Sequence, residues 1–219
     1  MTRLLLASLF LTGTLLIAGA PAVTQPNAVP TRPKLLPPSQ ETAIALSAGP
    51  ASIHAGAGVY VLESRGYVKV RESQNGFTCI VNRDHPLNTK PTCYDAEGTA
   101  TIIPVDLKFG ELLMQGIPVD QIRSLIRAGF NDGTYHSPRR PGVAYMLSDM
   151  NFDYDAASGQ LMHFPPHVMF YAPNLTNKDI GSAGDFAPGL PSIGYQGPQG
   201  FMIVVMPGAT PNCAGHTGH

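Results

Sequence analysis

Four oxygen-bearing side chains alternate along one short stretch: Asp149, Asn151, Asp153 and Asp155. Carboxylate and amide oxygens at alternate positions are what a calcium loop supplies. The register of such a loop fails here. Position six counted from Asp149 is Tyr154 instead of Gly, and position twelve is Gln160 instead of Glu. Met150, Phe152 and Tyr154 fill the slots between, so the segment reads as an amphipathic strand with acids on its wet face. Residues two apart on a straight strand stand about 6.6 Å from each other, too far to wrap one ion.

His163 and His167 are the next candidates. On a helix, four-residue spacing would give two ligands to one metal. Pro165-Pro166 lies between them and rules a helix out. On an extended chain the two rings stand roughly 13 Å apart. The pair can still bracket a bend and line a pocket beside Tyr171. With Asp149 as a further ligand or general base, the region would suit a metal-assisted hydrolase. Without that chemistry it would suit a non-catalytic binding or interaction module, the reading preferred here because no nucleophile with a nearby base can be named. Arg139-Arg140, set between Pro138 and Pro141, forms a stiff basic tip that can clamp an anion or carboxylate, or simply stand solvated in a loop. The candidate ligand-contacting residues are therefore His163, His167, Tyr171, Asp149, Arg139 and Arg140. No metal set and no cofactor is assigned.

Other motifs carry less. The chain has no G-x-S-x-G, G-x-x-x-x-G-K, H-E-x-x-H or C-x-x-C, which removes the common signatures of hydrolase elbows, phosphate loops, zinc proteases and redox pairs. His54-Ala55-Gly56-Ala57-Gly58 precedes a strand, the wrong order for a dinucleotide loop. Cys213, His216 and His219 have metal-like spacing at the chain end but no fourth ligand. Asn174-Leu175-Thr176 is a formal glycosylation sequon.

These residues sit in a chain that opens with an export signal. Arg3 is followed by an uncharged apolar or small run from Leu4 to Ala20, then Pro21 and Ala22. A basic start, a short apolar stretch and small residues at its end mark a secretory signal peptide. Ala20-Pro21-Ala22 places cleavage after Ala22. Residues 23–42 hold Pro26, Pro30, Pro33, Pro37 and Pro38 and read as a disordered leader. Residues 43–207 read as one domain and 208–219 as a flexible tail. The formal net charge of −1 supplies no basic face for nucleic acid and no reason for a membrane partner after cleavage. An unknown small molecule or protein is the expected partner, met in the periplasm or outside the cell. In that oxidising setting Cys79 and Cys93 are the expected disulfide, with a bond from either to Cys213 as the alternative.

Only 13% of residues are charged, against 23 Gly and 21 Pro, so a loop-rich fold is expected instead of a helical bundle. Strands are predicted at Val59–Glu63, Tyr67–Glu72 and Phe77–Arg83, joined through Asn75-Gly76 into a three-strand meander. Val68 and Val70 alternate with Lys69 and Arg71 as a half-buried strand does. Thr99–Ile103 reads as a strand. Two helices follow, from Val105 to Met114 and from Pro118 to Phe130. Gly142–Leu147, Asn151–Asp155, Leu161–Phe164 and His167–Tyr171 read as strands that form C-terminal hairpins. From Pro173 the chain reads as irregular until a closing strand at Phe201–Met206. Strands, then helices, then strands imply α+β with a mainly antiparallel sheet.

N-terminal sequencing of the exported protein is expected to begin at Val23. A mature chain that retains Arg3, or that begins elsewhere, would overturn the cleavage assignment.

Overall fold

The computed structural model describes residues 29–208. The signal segment and the tail donors Cys213, His216 and His219 lie outside them. The described chain is α+β. An eight-stranded sheet runs β2 (Gly66–Arg71), β1 (Gly58–Glu63), β3 (Thr78–Asn82), β4 (Lys90–Tyr94), β5 (Val143–Met146), β8 (His167–Tyr171), β10 (Phe201–Val205) and β9 (Pro191–Tyr195). Every neighbouring pair is antiparallel except β1 and β3. β6 (Phe152–Asp155) and β7 (Gln160–His163) form a hairpin of their own.

The N-terminal strands do not form the expected meander. β3 crosses to the far side of β1 and runs parallel to it, pairing Gly58 with Thr78 and Val59 with Cys79. Asn75-Gly76 is the reason. A tight hairpin needs these two residues to close the β2 ladder. Instead the Asn75 amide donates to the Ile53 carbonyl and accepts from Phe77 N–H. Gly58 N–H meets the Phe77 carbonyl at 2.8 Å, and Gln74 N–H meets Gly56. The turn is tied to the chain entering β1. The valine pattern on β2 fails for a related reason: the register shifts between Val59 and Tyr60, leaving Val70 unpaired in a bulge. Val68, in register with Val61, and Val70 are 43% and 47% exposed, so this face of the edge strand is not covered. A bulge on an edge strand discourages pairing with another chain.

Among the described residues five helices form, not two: α1 (Pro38–Leu46), α2 (Ala51–His54), α3 (Ala96–Thr101), α4 (Ile103–Met114) and α5 (Val119–Asn131). α1 takes in residues expected to belong to the leader, with Pro38 at its first turn and Glu41 fully buried. The stretch expected as a strand at Thr99–Ile103 is helical. Asp95 caps α3 by accepting from Gly98 N–H, and that cap outweighs the β-branched run behind it. Pro118 sits at the N-cap of α5.

Alternation on β3 sends Cys79 and Val81 to one layer and Ile80 to the other. Cys79, Val81, Val59, Val61 and Cys93 pack with Ala45 and Ala48 of the α1 segment. Ile80 and Tyr94 pack with Ile102, Ile103, Met146, Met169 and Val205. A third cluster joins α4 to α5 through Phe109, Leu113, Ile122 and Ile126. β9 was hidden in the Gly/Pro-rich stretch, so β10 is an interior strand with β9 as the edge. The Asn177 side chain bridges both backbone groups of Ile193 and closes that edge.

Cys79 and Cys93 face each other across β3 and β4 and are joined in a disulfide. Their separation in sequence is 14 residues. Peptide mapping without reduction is expected to recover this pair. The Cys79→Ala/Cys93→Ala double variant should lose about 3 kcal/mol in a denaturant titration, the loop-closure value for a ring of this size. An unchanged midpoint would show that the bond contributes nothing.

Candidate functional site

A groove runs between α4 and the β1–β2 hairpin. It exists because two glycines let the layers approach. A Cβ at Gly110 on α4 would overlap the Tyr67 ring, and one at Gly66 would come 3.2 Å from the Glu111 Cα. Gly66 also has φ +126°, a turn conformation that L side chains rarely adopt. Tyr67 lies in the floor with its hydroxyl donating to the Val81 carbonyl at 2.6 Å. One hollow of about 450 Å³ is lined by Arg65, Tyr67, Leu107, Lys108, Glu111 and Tyr135. A second, of about 230 Å³, adds Tyr60, Lys69, Glu72, Thr78 and Thr99. The two meet at Pro104 and Leu107.

The charges of the groove are mostly paired. Lys108 reaches both Glu111 oxygens at 3.1 Å. Lys69 reaches Glu72 at 3.1 Å and stands 5.5 Å from the Tyr60 ring centroid. Arg65 has no ion-pair or hydrogen-bond partner among the described residues. Burial raises the Tyr135 phenol above its ordinary range.

The densest ionisable cluster lies elsewhere, at the ends of β1, β3 and β4. Glu41 is fully buried, meets Arg83 at 3.5 Å and accepts from Leu62 N–H. Burial raises its carboxyl despite the nearby guanidinium. Lys90 lies 2.9 Å from both Asp84 and Asp153. Burial alone would lower its ammonium, but the two carboxylates outweigh that and raise it. Burial likewise pushes Asp84 up, while Lys90 and Asn88 bring it below the usual range. Asn88 bonds Asp84, Asp153 and Tyr154 N–H, and His85 stacks on Tyr154 at 4.5 Å. Asp106 accepts from Asn82 at 2.9 Å, while its Oδ2 is buried with no partner. This network fastens the β6–β7 hairpin to the main sheet.

The residues singled out by sequence are divided among several surroundings. His163 donates to the backbone carbonyl of Asp149 at 3.1 Å and tilts against Phe152. His167 is buried, donates to the Pro165 carbonyl at 2.8 Å and packs edge-on to Phe164. Tyr171 donates to Asp95 Oδ1 at 2.8 Å. Burial, then Asp95, holds its phenol well above the ordinary range. Arg139 N–H and Arg140 Nε both donate to Glu97, at 2.7 and 2.9 Å. These bonds keep the Glu97 carboxyl below its usual range. Tyr171 and the arginines thus gather around the first turn of α3, where they hold that helix to β5 and β8. Asp153 belongs to the Lys90 network. Among the described residues no group of three or more His, Cys, Asp or Glu is placed to hold a metal ion.

Sequence reasoning missed the groove because its residues come from several separate elements, among them β1, β2, β3, α3, α4 and the chain after α5. The only local signal was Gly110, a glycine inside a helical pattern, which marks close approach of another element.

Two buried groups titrate in opposite directions. Burial raises Asp106 from 3.8 to about 7, so between these values the native state holds a proton that the unfolded chain has released. Its contribution is complete below pH 4 and is lost as pH rises through 7. Burial lowers His167 from 6.5 to about 4, so its contribution is complete above pH 6.5 and is lost as pH falls toward 4. At about 1.4 kcal/mol per pKa unit, the effects are of the order of 4–5 kcal/mol for Asp106 and 3–4 kcal/mol for His167. Asp106→Asn should flatten the decline in unfolding free energy between pH 4 and 7, and His167→Phe the decline between pH 6.5 and 4. The slope is the readout; an unchanged slope in either variant would remove that residue as its source.

Comparison with known proteins finds no family model that matches the chain, no curated protein that matches it and no matching solved structure.

Proposed function

We propose that the chain is an exported, non-catalytic binding module that takes a small molecule in the groove between α4 and the β1–β2 hairpin. The observation that carries this is the hollow of about 450 Å³, within the range of roughly 300–1,000 Å³ typical of ligand sites. Its floor of Tyr67 and Leu107 offers apolar contact. Arg65 and the Tyr135 hydroxyl offer donors that no side chain of the described protein uses.

Export is supported by the basic and apolar opening of the chain and by the Cys79–Cys93 disulfide, which an oxidising compartment maintains. Among the described residues no helix is long and apolar enough to cross a membrane. The hydrolase alternative is not retained. It requires both histidine rings and a carboxylate to face one point, whereas His167 is sealed against Phe164 and His163 is spent on a backbone carbonyl.

Titration of isotope-labelled mature protein with a fragment library is expected to shift the amide signals of Tyr60, Tyr67, Leu107 and Lys108. Signals of His163, His167 and Arg139 should not move. Lys108→Glu should weaken the best fragment about tenfold, the cost of a rim charge of the wrong sign in a partly desolvated site. Shifts confined to the His163–His167 region would overturn the assignment.

A further inference from the structure

We infer that the ligand of the groove is a small aromatic carboxylate, held with its anion on Arg65 and its ring against Tyr67. The inference rests on the groove being the binding site. Its first support is charge. Glu111 has both oxygens taken by Lys108, and Glu72 is taken by Lys69. Arg65 is left as the cation of the lining without a carboxylate partner among the described residues. The paired groups cancel, so the lining carries a net charge of +1 in a chain of net charge −1. That complements one negative charge. A guanidinium presents two parallel N–H donors, the geometry a carboxylate accepts.

The second support is what the groove lacks. A phosphate is commonly held by backbone N–H groups at the start of a helix. The start of α4 reaches the groove, but most of its donors are spent. Val105 and Asp106 N–H both return to the Ile102 carbonyl, Ile102 N–H goes to Gly98, and Pro104 has no N–H. One unpaired guanidinium beside a helix start so depleted of donors favours a monoanion over a phosphate.

The third support is shape. Gly110 lets the Tyr67 ring settle onto α4, and Tyr135, Pro104 and Leu107 complete apolar walls around it. A planar ring can lie on that floor in an offset stack. Its carboxylate then extends toward the β1–β2 turn that carries Arg65.

The mature chain should be titrated with phenylacetate, phenylacetamide and inorganic phosphate, following amide shifts and heats of binding. Phenylacetate is expected to shift the groove signals and to bind at least tenfold more tightly than the amide. Arg65→Gln, on an exposed turn, should reduce phenylacetate to the level of the amide. Arg65→Lys should recover part of the difference, because it restores the charge without the paired donors. Equal binding of acid and amide in the groove, indifference of phenylacetate to Arg65→Gln, or phosphate binding as tight as phenylacetate would overturn the carboxylate assignment while leaving the groove as the site. If no probe and no library fragment moves the groove signals, the site itself is wrong and this inference falls with it.

Discussion

The position of β3 depends on a few bonds made before it begins. Gly58 N–H donates to Phe77, and the Asn75 side chain links Ile53 to Phe77 N–H. These hold the end of the β2–β3 connection beside the start of β1, so β3 lies down parallel on the inner side of β1. Two consequences follow. β3 becomes an interior strand with a layer on each face, which buries Cys79 opposite Cys93 in one and Ile80 in the other. The β1–β2 hairpin is left at the sheet edge, where α4 can lie along it. In a true meander β3 would occupy the outer side of β2, and the groove beside Tyr67 would have a different wall.

The same arrangement determines where charge is buried. Asn82, Arg83 and Asp84 follow one another at the end of β3 and point to different partners: Asp106, Glu41 and Lys90. Burying an ion costs several kcal/mol, which a single partner seldom returns. Here most members have more than one partner. Lys90 has two carboxylates, Asn88 has three contacts, and Glu41 has Arg83 together with Leu62 N–H. Asp106 and Arg83 each keep one buried atom without a partner, Oδ2 and Nε, and burial pushes the Asp106 carboxyl toward neutrality. The return for this cost is position. The β6–β7 hairpin has no ladder to the main sheet beyond the Thr89–Phe152 bridge, and Asn88 and Lys90 supply the remaining polar attachment.

Local patterns were readable where local forces decide. The helix that begins at Pro118, the strands at Asn151–Asp155 and Leu161–Phe164 and the nearer cysteine pair are all set by short-range pattern. The α+β class with a mainly antiparallel sheet followed from the order of such elements. What could not be read was set from a distance. Asn75-Gly76 has the composition of a tight turn, but its amide finds Ile53 on another segment. Thr99 to Ile103 has strand propensity, but Asp95 caps it as helix. Glu41 looks like part of a leader until Arg83, far along the chain, provides a reason to bury it. The polar residues chosen by spacing have partners that spacing does not reveal. His163 and His167 flank two prolines in sequence, yet one ring is bonded to the distant Asp149 carbonyl and the other to the carbonyl of Pro165 in its own bend.

That contrast bears on how a site is recognised in this fold. A polar side chain with its capacity already filled serves the structure, however suggestive its neighbours. Tyr171, Lys90 and Asp153 are all filled in this sense. A ligand site needs the reverse: groups held in place by the fold, with donors left over and an apolar surface beside them. Tyr67 is fixed by Val81 and Gly110 and lines the groove. Arg65 stands on a turn whose conformation requires Gly66 and whose approach to α4 is limited by Glu111. Its backbone is positioned while its guanidinium is unspent. The dense network at the end of β3 therefore reads as a fastening, and the groove, under the proposed function, as the place where a ligand completes the set of bonds.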